Sequence, residues 1–221
     1  MTRPWKIVER IATAEGPLEL RQRDREFLIT VAGRVLMTSS AHRSEVALGA
    51  LACAPVAARP HPRLLLGGLG MGFTLRAALD ALPATATVVV VELTAAVAAW
   101  CRGPLAALSG DALADPRVTV RVGDVAREIR GAGAGAYDAI ALDLYEGPNA
   151  ATQTAADPFY GTAALAAARA ALRKDGVLAI WSEDPDAAFQ ERFGRAGFRV
   201  TVHRSGRGGR THIVYLGQRG A

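Results

Sequence analysis

Arg63-Leu64-Leu65-Leu66-Gly67-Gly68-Leu69-Gly70-Met71-Gly72 is the stretch whose reading decides the fold. A short apolar run, the length of one buried strand, ends in glycines and is followed at once by Phe73 to Leu82, where apolar residues recur at helical spacing. Strand, glycine turn and helix open a βαβ unit. Glycine lets the chain turn sharply and lets a ligand come close to the backbone. A G-x-G-x-x-G spacing would suit a dinucleotide diphosphate. Glycines 68, 70 and 72 give G-x-G-x-G instead, and the next position is the bulky Phe73. That spacing suits a ligand that presents an amino-acid tail, and a tight strand-helix turn with no ligand is the plain alternative.

Downstream the alternation continues. Thr87 to Leu93 reads as a strand and Thr94 to Cys101 as a helix; Val118 to Val122 and Tyr137 to Leu144 read as strands, with a helix over Asp124 to Arg130 between them. The spacing predicts an alanine-rich helix over Pro158 to Arg173 that ends at Lys174-Asp175-Gly176, a strand over Val177 to Trp181, and a helix over Asp186 to Ala196. Phe198 to His203 and Thr211 to Leu216 close the chain as two strands with no helix between them, so they pair antiparallel. The expected fold class is α/β: a Rossmann-like, seven-stranded, doubly wound sheet with a terminal antiparallel hairpin.

Upstream there is no helical period before Ala41. Lys6 to Ala12, Leu18 to Arg23, Glu26 to Val31 and Arg34 to Thr38 read as short strands separated by Glu15-Gly16-Pro17, Asp24 and Ala32-Gly33. Ser39 or Ser40 is placed to cap a helix over Ala41 to Cys53, and Pro60-His61-Pro62 forms a linker. The expected organisation is a small N-terminal β unit plus helix over 1–58, then the sheet domain over 59–221.

Composition narrows the class. Of 221 residues, 50% are hydrophobic and 21% charged, enough for a packed core and too apolar for disorder. The longest apolar stretch, Thr85 to Trp100, carries Glu92 at its centre, so no membrane span is expected, and no secretion leader is read at the N-terminus. The net charge of +5 comes from arginine, without a basic stripe of interleaved aromatics, and nucleic-acid binding is not expected. Cys53 and Cys101 form no metal or redox pair and read as buried thiols in a cytoplasmic protein, with no metal site.

In a doubly wound sheet, ligands meet the carboxyl ends of the strands, so the chemistry is sought there. Glu92 ends the second strand about 20 residues beyond the glycines, where an acid accepts both hydroxyls of a ribose; Leu93 beside it is assigned to the same pocket. Gly123-Asp124 follows the third strand. Asp124 can cap the next helix, accept from an adenine amino group, or do both. Asp143 ends the fourth strand, and an acid at a buried strand end is costly unless it has a task. Glu146, three residues on, is a second candidate acid, and Tyr145 between them is assigned to the acceptor side. His42, Glu45 and Trp181 are candidates for the acceptor pocket, against plain readings as a helix-start histidine, a surface acid and a core tryptophan. Pro158-Phe159-Tyr160 folds over the site or packs on the sheet. The Arg204 to Arg210 loop reads as a hairpin tip with phosphate binding as the alternative.

GGLGMGFTLRAAL, VVVVEL, VGDVAREI and YDAIALDLYEGP, in that order and spacing, resemble the spermidine synthase family, which belongs to the class I S-adenosylmethionine-dependent methyltransferase superfold. The N-terminal hairpins fit as well, so the resemblance covers most of the chain. It implies that Gly68, Gly70 and Gly72 wrap the methionine-like part of the donor, Glu92 its ribose and Asp124 its adenine, and that Asp143 faces the reacting amine. It also implies a homodimer. There are departures. Met71 stands where aminopropyltransferases carry the acid that holds the amine of decarboxylated S-adenosylmethionine. The family's Asp-x-x-Asp becomes Asp143-Leu144-Tyr145-Glu146, its strand-end glutamine becomes Leu36, and its Tyr-His-Glu pattern becomes His42-Arg43-Ser44-Glu45, without the tyrosine. Read on Met71, the chain narrowly favours methyl transfer from S-adenosylmethionine to a small amine- or hydroxyl-bearing acceptor. Aminopropyl transfer from decarboxylated S-adenosylmethionine to putrescine or a related amine is the first alternative, and a non-catalytic nucleoside-binding module the second.

Overall fold

The computed structural model describes residues 3–145, 147–149, 154, 156–205 and 211–220. The chain opens with an antiparallel sheet of strands β1 (Lys6–Thr13), β2 (Gly16–Arg23), β3 (Glu26–Val31) and β4 (Arg34–Thr38), in that order. Its tight turns use left-handed residues: Gly16, Asp24, Ala32 and Gly33 all have positive φ. Leu18, Leu20, Phe27, Ile29 and Val31 are buried and seat this sheet on the rest of the molecule.

Helix α1 (Arg43–Cys53) follows. Neither serine caps it. Ser39 Oγ accepts from Phe27 N at 2.8 Å and Ser40 Oγ bonds Thr38 Oγ1 at 3.2 Å, so both close the end of the β3–β4 hairpin; His42 occupies the cap position without a side-chain bond. Helix α1 packs across the large sheet and against helix α2 (Phe73–Ala81). Gly49 permits that approach, since a Cβ there would stand 2.9 Å from Ala77 Cβ and 3.0 Å from Ala78 N.

The large sheet runs β10-β11-β9-β8-β5-β6-β7, with β5 (Arg63–Gly67), β6 (Thr87–Glu92), β7 (Val118–Val122), β8 (Tyr137–Leu142), β9 (Leu172–Ser182), β10 (Phe198–Ser205) and β11 (His212–Arg219). Strands β5 to β9 pair parallel; β11 and β10 add antiparallel. The fold is thus the mixed α/β, Rossmann-like architecture that the alternation of periods predicts. Side chains alternate across the sheet. Leu64, Leu66, Val88, Val90, Ala139 and Ala141 face α1, α2 and α3 (Ala95–Arg102); Leu65, Val89, Val91, Ile140 and Leu142 face α4 (Val125–Gly131), α5 (Thr162–Ala171) and α6 (Ala187–Arg195). Strand β5 pairs with β6 on one side and β8 on the other, so the switch point opens at their carboxyl ends.

Among the boundaries that differ from the sequence reading, three have a clear local reason. Strand β8 stops at Leu142, and Asp143 N then donates to Gly67 O at 2.8 Å, which turns the acid toward the glycine loop. Helix α5 begins at Thr162 rather than Pro158, because Asp157 Oδ1 accepts from Phe159 N at 2.9 Å and Tyr160 N at 2.6 Å and closes a separate turn. Strand β9 begins at Leu172, five residues before the expected start at Val177; Asp175 takes a φ of 59° and the pairing with β8 shifts register between Tyr137 and Ala139. At that end of the sheet the buried Asp138 binds the Arg59 and Arg173 guanidinium groups and accepts from Arg63 N at 2.8 Å. No helix among the described residues is long and apolar enough to cross a membrane.

Candidate active site

Gly68 and Gly70 make the loop possible. Both sit at positive φ, 83° and 53°. A Cβ on Gly68 would collide with the Asp143 carbonyl, and one on Gly70 would stand 2.9 Å from Met37 Sδ. The loop is anchored by Gly68 N to Val91 O at 2.9 Å and by Leu69 N to Glu92 Oε2 at 2.9 Å. Glu92 Oε1 accepts from Thr94 N at 2.8 Å. Burial pushes the Glu92 carboxyl above the usual range, and the Thr94, Leu69 and Leu93 amides oppose that shift. Leu69 N and Thr94 N take one Glu92 oxygen each, and with two lone pairs per oxygen the carboxylate keeps acceptor capacity for a ligand hydroxyl. Beside it, Leu93 and Val122 are large apolar side chains left 74% and 58% exposed, a shelf suited to the face of a flat ring. Gly123 N donates to Glu92 O at 2.9 Å, and Asp124 Oδ1 accepts from Ala126 N at 2.8 Å, so Asp124 does cap α4. Its Oδ2 lies 3.8 Å from Arg127 Nε.

Met71 sits between Gly70 and Gly72 in the loop. Its side chain is fully buried, in the core cluster that includes Leu69, Leu75 and Trp100. With left-handed glycines on both sides, the loop turns residue 71 inward. The thioether therefore gives no direct reading of the donor's tail.

Asp143 lies across from the loop. The residue keeps partial exposure, but its carboxyl is enclosed and Thr74 Oγ1 donates to Oδ2 at 2.5 Å. Burial raises its pKa to about 7, with the charges of Glu45 and Glu92 acting in the same direction and the Thr74 bond opposing them. No cationic side chain is among the groups that act on it in the described part of the chain. Three acids from three elements, Glu45 on α1, Glu92 on β6 and Asp143 after β8, thus lie within electrostatic reach, the first two acting on the third. Glu146 falls outside the described residues.

The acceptor-side candidates divide. Glu45 is buried rather than a surface acid, and Ser44 Oγ donates to its Oε2 at 2.6 Å. His42 stacks on Phe73 with ring centroids 3.9 Å apart and its Nδ1 bonds Ser39 O at 2.9 Å, so it braces the start of α1 over the glycine loop. Tyr145 is exposed under the Arg34 guanidinium, 4.6 Å from the ring centroid, linking the loop after β8 to β4. Trp181 packs against the core and tilts on His212 with centroids 5.0 Å apart. Tyr160 is buried in the cluster beneath α5, so this part of the Pro158-Phe159-Tyr160 segment packs on the sheet. Residues 206–210 of the arginine-rich hairpin lie outside the described residues. Cys53 and Cys101 are buried, with both thiols pushed up to about 12 by burial.

Sequence reasoning missed Thr74, Ser44 and His212. Thr74 carried a usable signal, as a hydroxyl in the first turn after a ligand-type glycine loop. Ser44 and His212 are 168 positions apart and carried none.

No family model and no curated protein matches the chain. Solved structures do. A spermidine synthase from Thermotoga maritima superposes with a TM-score of 0.76 at 20% identity, over 97% of this chain and 73% of that one. A spermidine synthase in complex with the transition-state analogue AdoDATO gives 0.74 at 19%, over 97% and 73%. A probable spermidine synthase from Corynebacterium glutamicum gives 0.64 at 19%, over 98% and 81%. The chain therefore has a spermidine synthase-like fold, N-terminal sheet included. At these identities the likeness establishes the architecture.

Proposed function

We propose that the protein is an alkyl transferase that moves an aminopropyl group from decarboxylated S-adenosylmethionine to a small amine. The observation that carries this reading is charge: Glu45 and Glu92 both act on Asp143, and among the described residues no cation is among the groups that act on it. A donor that keeps its carboxylate would meet like charge there, whereas a decarboxylated donor and an amine acceptor both bring positive charge. The sequence argument for methyl transfer rests on Met71, whose side chain is buried in the core. The likeness to spermidine synthases, one of them bound to a transition-state analogue, supports the same choice.

In this reading Gly68, Gly70 and Gly72 receive the donor's tail, Glu92 its ribose hydroxyls, and Leu93, Gly123 and Asp124 its adenine. The donor arrives activated, because its sulfonium is a good leaving group, and the protein aligns the acceptor in line with the C–S bond. The amine nitrogen attacks the aminopropyl carbon attached to sulfur, the C–S bond breaks, and methylthioadenosine leaves with the electron pair. Asp143 takes the amine's proton, for which a carboxyl near pH 7 is well matched. Incubation with each donor and a panel of diamines, read by product mass, tests this. The expected result is a gain of one aminopropyl unit on a diamine with the decarboxylated donor; a methyl gain with S-adenosylmethionine alone would restore the methyltransferase reading.

A further inference from the structure

Glu45 is connected beyond the cleft. Ser44 Oγ donates to Glu45 Oε2 at 2.6 Å and lies 2.9 Å from His212 Nδ1, at the start of β11. Ser44 and Glu45 are both buried, and His212 is half-buried with its ring against Trp181. A serine hydroxyl has one proton, and an ionised carboxylate only accepts. Once the hydroxyl donates to Glu45, its oxygen can only accept from the imidazole. The chain of donors then runs one way, from His212 Nδ1–H to Ser44 to Glu45.

We propose that His212 is a positioning residue that acts through Ser44 to fix the Glu45 carboxylate toward the acceptor side of the cleft. This rests on the amine-acceptor reading above, in which Glu45 is one of the acids that attract the cationic substrate. Without the relay, Ser44 loses the bond that orients its hydroxyl, and Glu45 can turn along its flexible side chain. The consequence falls on acceptor binding rather than on the donor, whose ribose acid Glu92 takes its hydrogen bonds from Leu69 and Thr94 instead.

The test has two independent arms. Nitrogen NMR of the neutral imidazole in the full-length protein, without ligand, reads the tautomer. His212 is expected as the Nδ1–H form, and Ser44→Ala is expected to move it toward the Nε2–H form that free histidine prefers. In the kinetic arm His212→Leu is expected to raise the KM of the acceptor about tenfold, the loss of one bond in a charge-assisted chain, with kcat and donor KM little changed. His212→Asn, whose amide can replace the Nδ1–H donor, is expected to recover most of that loss. An Nε2–H tautomer in the unmodified protein, or equal effects of the leucine and asparagine variants, would overturn the proposal. Should no acceptor turn over, the function assignment fails while the NMR arm still decides the relay.

Discussion

A carboxyl held near pH 7 beside two other acids has opposite effects on stability and on chemistry. Burial is the first cause of the Asp143 shift, from 3.8 to about 7. Between those values the folded state keeps a proton that the unfolded state releases, so stability falls as pH rises through that window and the penalty is complete above it. Asp143→Asn is therefore expected to raise the melting temperature by a few degrees at pH 8, with the gain vanishing below pH 4, as calorimetric scans at the two pH values would read. The same variant is expected to lose about a hundredfold or more in kcat, the usual worth of a positioned proton acceptor. Thr74 opposes the shift through its 2.5 Å bond. Thr74→Val is accordingly expected to move the acid limb of the rate profile to higher pH; an unmoved limb would show that Asp143 is not the group being titrated. Asp143 and Glu92 were legible in the sequence because an acid at a strand end declares its position. Met71 was not, since the direction of a loop side chain depends on the φ of its neighbours.

At the scale of elements, the sheet could be read from its periods, and the misplaced boundaries lie where polar side chains outweigh pattern. Asp157 holds back α5 by taking two amides for its own turn. Ser39 and Ser40, which look like caps, are taken by the hairpin before α1. Composition cannot predict which backbone donor a short polar side chain will find. The glycine loop was the clearer signal because its need is steric. Gly68 combines a φ of 83° with a Cβ position blocked by the Asp143 carbonyl. Gly68→Ala is expected to cost about 1–3 kcal/mol from backbone strain and to push the loop away from β8. Denaturant titration reads the first effect, and calorimetric titration with methylthioadenosine, the product nucleoside, the second, as weakened binding. Full binding by the variant would mean that the loop does not receive the nucleoside.

For the whole molecule, the N-terminal sheet is covered unevenly. Its inner face is buried on the domain by Leu18, Leu20, Phe27, Ile29 and Val31, whereas β1 lies at the edge with Ile7 and Val8 exposed, and Val35 on β4 is half exposed. Exposed apolar residues on an edge strand invite pairing with another chain. Lys6, Glu9 and Arg10 set both signs of charge along the same strand. Glu9 already accepts from Trp100 Nε1 at 2.7 Å and Arg10 is paired with Glu19, so it is the exposed apolar strip that suits a self-complementary contact about a two-fold axis. We therefore expect a homodimer whose contact includes β1, as the sequence resemblance also implies. Light scattering is expected to give twice the 23.1 kDa of the chain at micromolar concentration. Replacing Val8 by Lys, which adds charge to the strip and leaves the buried face alone, is expected to yield a monomer with a nearly unchanged melting temperature. A monomer from the unmodified protein would remove the dimer, and a Val8→Lys variant that remains dimeric would move its contact away from β1.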